Sequence, residues 1–379
     1  MPDLVVQADT LVLSDGMRGP GHVTVAGGRI AAVGLGRHPR PDVDAAAGML
    51  APGFVDLQIN GAAGADFLSP TDSGLRAAQA YLLRTGTVAY LPTLVSAPEP
   101  RLRAALDFFA SRISRPAAPR ILGVHLEGPF LSPARPGAHA IQHLRRPSVE
   151  WIARLVEAFP GVIRVVTLAP ELDGAGEVID YLGGVGIVTA AGHTDATYAQ
   201  AVAAFDRGVR LATHVFNAMR PYHHREPGVV GAALCHPAVT CSLIVDHVHL
   251  HPAVVKHVLA LKGPDRVALV TDAISAAGAP PGQFTLGERV VRVADGAPRL
   301  DDGTLGGSVL AMDQAVRHAA RAASTDAAVR MAATTPARLL GLSMGELRVG
   351  LPADLVVLDQ DLSVRIVIVA GEIAYRLEA

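Results

Sequence analysis

The middle of this chain alternates between short apolar runs and helix-like stretches, and that alternation limits the fold more than any other feature. Eight runs rich in Val, Ile and Leu are typical of buried strands, at residues 53–59, 87–94, 120–126, 162–168, 186–192, 209–213, 242–246 and 266–271. Helical stretches are predicted between many of them, at residues 73–84, 101–111, 148–158, 197–206 and 251–261. Eight strands alternating with helices predict a (β/α)₈ barrel with insertions. A doubly wound open sheet is the alternative, but no Gly-rich dinucleotide fingerprint follows the first strand.

Both ends of the chain instead contain short alternating segments separated by Asp-Gly and Gly-Gly turns. We therefore expect one small β domain built from residues 1–51 and 345–379, with the barrel at residues 52–344. The Pro- and Gly-rich stretch 278–307 predicts a hairpin insertion near the barrel mouth. Residues 312–340 predict two closing helices.

Charge and cysteine usage narrow the classes of partner. Lys and Arg number 33 against 35 Asp and Glu, and a net charge of −2 gives no global attraction to nucleic acid or an anionic membrane. No apolar stretch reaches the roughly 18–20 residues of a membrane helix, and the N-terminus lacks a secretory signal, so a soluble cytoplasmic protein is expected. Cys235 and Cys241 are the only cysteines, too few for a disulfide framework, and both are expected to be buried thiols.

Four of the apolar runs end at a residue that can bind a metal or move a proton: Glu127, His193, His214 and Asp272. If the strands are parallel, their C-terminal ends meet at one mouth, where distant positions converge. Two neutral imidazoles and a carboxylate suit a zinc-like ion, with one coordination position open for water. The first three residues therefore predict a metal site.

Two other residues near these strand ends have competing interpretations. Asp272 could cap a helix N-terminus, or its carboxylate could accept the proton of an attacking water and later return it to a leaving group. The residue pattern leaves both interpretations open. His125 lies inside the strand before Glu127, where a buried, hydrogen-bonded imidazole is favoured over a metal ligand.

A series of local motifs runs through the chain: PGFVDLQING at 52–61, HLEGPF at 125–130, LAPE at 168–171, GHTDAT at 192–197, THVFNAM at 213–219, REPG at 225–228, VTDA at 270–273 and LGGS at 305–308. In number and order they resemble the N-acetylglucosamine-6-phosphate deacetylase family of the amidohydrolase superfamily. The resemblance covers essentially the whole chain. It implies a distorted (β/α)₈ barrel of the TIM type with a small β-sandwich domain formed from both termini. It also implies hydrolysis of N-acetylglucosamine 6-phosphate to glucosamine 6-phosphate and acetate.

The same resemblance implies roles for the residues at the predicted mouth. The positions matching Glu127, His193 and His214 bind a divalent metal, for which Zn²⁺ is expected and Fe²⁺, Co²⁺ or Mn²⁺ would also suit. The position matching Asp272 is the general base and then the acid. His139 is expected to polarise the acetamide carbonyl.

Substrate contacts and a partner follow from the resemblance as well. Asn217, Ala218, Arg225 and His249 are expected to contact the sugar phosphate. Arg225 is expected to reach the active site of a neighbouring subunit, which would make the active unit a homodimer.

The sequence also departs from the pattern of related enzymes. Many superfamily members carry His-x-His at the end of the first strand, where this chain has Gln58 and Asn60. Amides are poor zinc ligands, so we expect one catalytic ion per subunit, and Gln58 and Asn60 form a doubtful second metal position. His247 replaces the usual Gly and could contact substrate or fill space, of which space filling is favoured.

Two other functions remain open at this point. One is an amidohydrolase acting on a different N-acyl or cyclic amide. The phosphate contacts expected at Asn217, Ala218 and Arg225 would count against this function. The other is a non-catalytic barrel scaffold, which the intact set of potential metal ligands and Asp272 disfavours.

Overall fold

The computed structural model describes residues 3–113 and 119–378, and its centre is a nearly closed parallel barrel. The eight barrel strands are Phe54–Ile59, Thr87–Val95, Val124–Glu127, Ile163–Leu168, Val188–Ala191, Leu211–Ala212, Thr240–Leu243 and Val267–Leu269. Each pairs in parallel with the next, and a parallel bridge between Ile59 and Ala273 brings the last strand back to the first. A short strand, Arg120–Ile121, also pairs with the second. The predicted (β/α)₈ barrel is confirmed.

A helix follows each barrel strand in the described residues. These helices are Asp72–Arg84, Glu99–Ile113, Val149–Ala158, Ala175–Gly184, Tyr198–Arg207, Gly228–Cys235, Pro252–Lys262 and Met312–Ala322. Two more, Thr325–Ala332 and Thr334–Leu339, come after them, and short 3₁₀ turns lie at Ile141–His143 and Pro264–Arg266. The stretch expected to form two helices thus forms three. The Ser324 side chain accepts from the Ala327 amide and so caps the start of the helix Thr325–Ala332. At Ala333 the backbone leaves the helical region, with φ −125° and ψ −65°, and the helix Thr334–Leu339 begins after it.

Both termini contribute to one separate β-sheet. Its strands are Leu4–Leu13, Gly16–Arg18, Gly21–Ala26, Arg29–Leu35, Val43–Pro52, Leu355–Leu358, Val364–Val369 and Glu372–Arg376. The strand Val43–Pro52 joins the two ends, since it pairs in parallel with Leu4–Leu13 and antiparallel with Leu355–Leu358. Apolar side chains of this sheet form a core of their own. The boundaries at 51/52 and 344/345 stay a prediction.

An antiparallel insertion lies between the last barrel strand and its helix. It has three strands, Gln283–Leu286, Arg289–Ala294 and Ala297–Arg299, so the predicted hairpin gains a third strand. At its first turn, the Glu288 carboxylate lies 2.9 Å from His143 Nε2. The insertion is thereby held beside the segment that follows the third barrel strand.

The two cysteines lie in different surroundings. Cys241 is buried in a barrel strand, as expected, whereas Cys235 is exposed, and the prediction of a buried thiol there was wrong. Cys235 is the last residue of the helix Gly228–Cys235, where the chain turns outward. Among the described helices, none is long and apolar enough to cross a membrane.

Candidate active site

A cavity of about 270 Å³ opens at the C-terminal ends of the barrel strands. Its lining comprises Asn60, Val95, Glu127, Gly137, Ala138, His139, His193, His214, Asn217, Ala218, Ile244, His249, Asp272, Leu286, Thr304, Leu305 and Gly307. The four residues that end apolar runs in the sequence are therefore brought to one place. Leu286 comes from the three-stranded insertion, which forms part of the wall.

The backbone turns sharply at three of these positions. His193, His214 and Asp272 have φ values of 47°, 32° and 48°, in the left-handed region that few non-glycine residues adopt. Hydrogen bonds hold two of these turns, because the His214 amide donates to Ser242 Oγ at 2.7 Å and the Asp272 amide to the Gln58 carbonyl at 2.8 Å. Such strain persists where the surroundings fix it, and it is typical of functional sites.

Imidazoles converge on the Glu127 carboxylate. His193 Nε2 and His214 Nε2 lie 3.2 Å and 3.0 Å from its Oε1, and His139 Nε2 lies 3.7 Å from its Oε2. Tetrahedral zinc with bonds of 2.0–2.1 Å sets ligand atoms about 3.3 Å apart, so the first two distances fit. Among the described residues, the ligand atoms of Glu127, His139 and His193 all lie within 4.8 Å of one another. This group shares Glu127 and His193 with the predicted set.

The two ring nitrogens of His214 have different surroundings. Its Nε2 faces Glu127 Oε1 and is the nitrogen that would bind an ion in the predicted set. Its Nδ1 is buried and has no hydrogen-bond partner among the described residues, which leaves it to a water.

Burial and hydrogen bonds set the protonation of the cluster. Burial alone would raise the pKa of Glu127, but the close approach of the His139, His193 and His214 ring nitrogens to its oxygens outweighs it and holds the pKa well below the ordinary value. Burial, followed by repulsion from His139, lowers the pKa of His193 to about 4. An ionised carboxylate and a neutral imidazole are the forms that bind a cation.

Ser96 fixes the orientation of the His139 ring. Its backbone N–H donates to His139 Nδ1 at 3.2 Å, and its hydroxyl lies 3.1 Å from the same nitrogen. Because an amide N–H only donates, Nδ1 is the acceptor, and the neutral ring carries its proton on Nε2. That nitrogen faces Glu127 and the cavity. Sequence reasoning missed Ser96, since nothing in its local pattern marks it.

The Asp272 carboxylate accepts hydrogen bonds from two amides. Asn60 Nδ2 lies 2.7 Å and Gln58 Nε2 3.3 Å from its Oδ1, and Gln58 Nε2 also donates to Glu127 Oε1 at 2.8 Å. Burial, with repulsion from Glu127 second, raises the pKa of Asp272 to about 7. No helix begins at Asp272 in the described chain, so the helix-cap interpretation was wrong.

Comparison with known proteins agrees with this arrangement. The model of the amidohydrolase family matches residues 49–374. The chain belongs to the amidohydrolase family.

Full-length relatives indicate the branch of the family. N-acetylglucosamine-6-phosphate deacetylase of Lysinibacillus sphaericus is 33% identical, over 98% of this chain and 97% of its own. N-acetylgalactosamine-6-phosphate deacetylase of Escherichia coli O157:H7 is 35% identical, over 98% and 99%. A mutant N-acetyl-D-glucosamine-6-phosphate deacetylase from Mycobacterium smegmatis, solved with N-acetyl-D-glucosamine-6-phosphate, is 39% identical, with a TM-score of 0.94 over 98% of each chain.

The predicted substrate contacts of this amidohydrolase divide into two groups. Asn217, Ala218 and His249 line the cavity, whereas Arg225 is exposed and lies outside it. Arg225 Nη1 lies 2.9 Å from His224 Nε2. Glu226 accepts from the backbone amides of Tyr198 and Gly228.

Two other histidines lie outside the cavity lining. The His247 ring is exposed and stacks on His318, with 3.9 Å between ring centroids. Because His247 lies outside the cavity lining, the space-filling interpretation stays a prediction. His125 is buried, with Nδ1 3.1 Å from the Leu57 carbonyl and Nε2 2.8 Å from Thr167 Oγ1, so the expected hydrogen-bonded core histidine is confirmed.

Proposed function

We propose that this amidohydrolase hydrolyses the acetamide of N-acetylglucosamine 6-phosphate, giving glucosamine 6-phosphate and acetate. The observation that carries the proposal is the cavity in which Asp272 lies beside a carboxylate and a group of imidazoles. The full-length relatives supply the substrate class, because they are deacetylases of N-acetylhexosamine 6-phosphates. The two named relatives differ in the configuration of the sugar, and both sugars belong in the test.

We infer that Glu127, His193 and His214 would hold one divalent ion per subunit, Zn²⁺ in the first instance. When bound, such an ion lowers the pKa of a bound water to about 7 and polarises a carbonyl oxygen. Gln58 and Asn60 donate amide hydrogens to Glu127 and Asp272 where other superfamily members have histidine ligands. Amide oxygens are poor zinc ligands, which supports a single ion.

Asp272 would act as base and then as acid. Its carboxylate takes the proton of the attacking water and later gives it to the sugar nitrogen, so that the amine leaves in protonated form. Burial raises the pKa of this carboxylate above its ordinary value, which strengthens it as a base. The amide of Asn60 keeps Oδ1 in place throughout.

His139 would stabilise the negative charge that develops on the acetamide oxygen. The Ser96 amide occupies Nδ1, so the Nε2–H group is the donor that faces the cavity. A preorganised donor of this kind contributes about 10²–10³ in rate. The ring then works as a neutral hydrogen-bond donor.

The phosphate would bind at the outer side of the cavity. Asn217, Ala218 and His249 would contact the sugar phosphate within the same subunit. Arg225 would come from a partner subunit of a homodimer, where its guanidinium can make bidentate hydrogen bonds to phosphate oxygens. Its exposure outside its own cavity supports this arrangement. A cytoplasmic location stays a prediction from sequence.

Acetate release by purified protein of known metal content tests the function. The substrates are N-acetylglucosamine 6-phosphate, N-acetylgalactosamine 6-phosphate and unphosphorylated N-acetylglucosamine. We expect turnover of N-acetylglucosamine 6-phosphate, loss of it with a chelator and recovery with Zn²⁺. Absence of acetate from both phosphorylated sugars after metal loading would refute the proposal.

A further inference from the structure

One carboxylate beside the cavity binds two arginines at once. Asp195 Oδ1 accepts from Arg135 Nε at 2.8 Å, and its Oδ2 accepts from Arg220 Nη2 at 2.8 Å. All three side chains are roughly one-third exposed, with values of 28%, 33% and 31%. None of the three lines the cavity, so the substrate contacts inferred above do not account for this cluster.

Arg135 belongs to the irregular segment 132–139, which carries His139. Its carbonyl accepts from His193 Nδ1 at 3.2 Å, which leaves the Nε2 lone pair directed toward Glu127. The segment also packs closely on that ring, because a Cβ atom added to Gly137 would lie 2.9 Å from His193 Cε1. The positions of both imidazoles therefore depend on how this segment is held.

Arg220 belongs to the segment that carries Ala218. Its amide donates to the Thr194 carbonyl at 3.0 Å, and its Nε donates to the Asp195 carbonyl at 2.7 Å. The Thr194 amide donates to the Ala218 carbonyl at 3.2 Å. The segment after the sixth barrel strand is thus joined to the segment after the fifth.

Glu171 supports Asp195 from the other side. Its Oε1 accepts from the Asp195 amide at 2.7 Å, and its Oε2 accepts from Thr194 Oγ1 at 2.5 Å. The backbone at Asp195 is consequently fixed, and its carboxylate is a rigid point between the two arginines.

We propose that Asp195 is a positioning residue, which joins three segments of the cavity wall through Arg135 and Arg220 and so fixes the imidazoles of His139 and His193. The expected effect of Asp195 on metal affinity depends only on the geometry of the cavity. The expected effect on turnover rests on the hydrolysis proposed above. Asp195 touches neither substrate nor ion in this assignment. Groups that orient metal ligands from behind typically change metal affinity or activity by about 10–100-fold when removed.

The test compares Asp195→Asn with Asp180→Asn. Asp180 is a matched control, since Arg207 binds it with two hydrogen bonds of 2.8 Å and 2.7 Å on the outside of the barrel. For Asp195→Asn we expect Zn²⁺ affinity, measured by chelator competition, to fall about 10–100-fold, and kcat to fall by a similar factor while KM changes little. Asp180→Asn should match the wild type in both.

The variant Arg135→Ala tests the same inference in a second way. If Asp195 acts through Arg135, the double variant should lose no more Zn²⁺ affinity than the worse single variant, because the two changes remove one interaction. The inference is overturned if Asp195→Asn lowers only the thermal midpoint and leaves metal affinity and kcat like those of Asp180→Asn. An inactive wild type that binds Zn²⁺ would refute the hydrolysis, while the affinity comparison would still decide the role of Asp195.

Discussion

The proton on His139 is placed by a backbone amide that lies 43 residues away in the sequence, that of Ser96. Because this amide always donates, the donor toward the cavity is Nε2–H whenever the ring is neutral. The side chain is therefore assigned as a hydrogen-bond donor, and a glutamine can imitate that donor. An asparagine can imitate only the Nδ1 acceptor.

We predict that His139→Gln retains more activity than His139→Asn. Both variants should lose turnover, since neither reproduces the ring, but glutamine offers an N–H group near the position of Nε2. Removing a donor of this type costs about 10²–10³ in kcat, and we expect His139→Asn to show the full loss. Steady-state acetate release compares them, and equal losses would contradict the donor assignment.

Asp272→Asn should keep the fold and the bound metal and lose most turnover. The amide can still occupy the space beside Asn60, but it cannot accept the proton of the attacking water. We expect kcat to fall by about 10²–10⁴. Metal content and circular dichroism serve as controls, and near-normal turnover would remove the proton-transfer role.

The residues that could be predicted from the sequence are those that end strands. Glu127, His193, His214 and Asp272 each close an apolar run, and parallel strands must bring such positions together. Ser96 and Asp195 were not predicted as supporting residues. Their roles depend on contacts across the barrel mouth, which no local pattern records.

Two barrel elements are joined by a buried carboxyl group, that of Asp56. Its Oδ2 accepts from Thr271 Oγ1 at 2.5 Å, and its Oδ1 lies 3.2 Å from the Thr271 amide. The first strand is thereby tied to the residue before Asp272, at the point where the barrel closes. Burial raises the pKa of Asp56 to about 7, even though hydrogen bonds from Thr271 and Gln58 oppose it.

We predict that Asp56→Asn changes how stability depends on pH. Between about pH 4 and pH 7 the folded protein holds the Asp56 proton more tightly than the unfolded chain, so this group makes the wild type less stable as pH rises. From pH 5 to pH 7.5 the free energy of unfolding of the wild type, relative to Asp56→Asn, should fall by about 2.5 kcal/mol. Urea unfolding at both pH values measures it, and a pH-independent difference would contradict the prediction.

The elements that the sequence pattern missed have identifiable causes. The strand Val43–Pro52 contains a run of Ala and Gly, which have low strand propensity, and its pairing with both termini holds it extended. The break at Ala333 is explained by Pro336, which lies in the first turn of the helix Thr334–Leu339 and would not be accommodated in the interior of a longer helix. Long, strongly apolar barrel strands such as Thr87–Val95 were predicted with nearly correct bounds, because full burial leaves a continuous apolar run.

The exposed position of Arg225 makes a prediction about subunit assembly. In a homodimer with shared sites, Arg225→Ala and Asp272→Asn subunits complement each other, because one site of the mixed dimer has both residues intact. With random mixing, half of the dimers are mixed and one of their two sites is complete, so activity at low substrate concentration should recover to about one quarter of the wild type.

Co-expression of the two variants measures the recovery, and each variant expressed alone is the control. Activity no higher than the average of the two separate variants would place Arg225 outside the partner's site. The prediction of this assembly rests on the whole-chain resemblance, since residue patterns alone do not indicate it. The structure shows that Arg225 is exposed outside the cavity of its own subunit. The complementation test asks whether it contributes to the site of a partner subunit.

The left-handed backbone at His193, His214 and Asp272 has a consequence for anyone who transplants this chemistry into another barrel. Copying the side chains onto ordinary strand ends would point them along the wrong vectors. A recipient scaffold first needs loops with the same left-handed backbone and the hydrogen bonds that hold them. Only then would the copied side chains point toward one another.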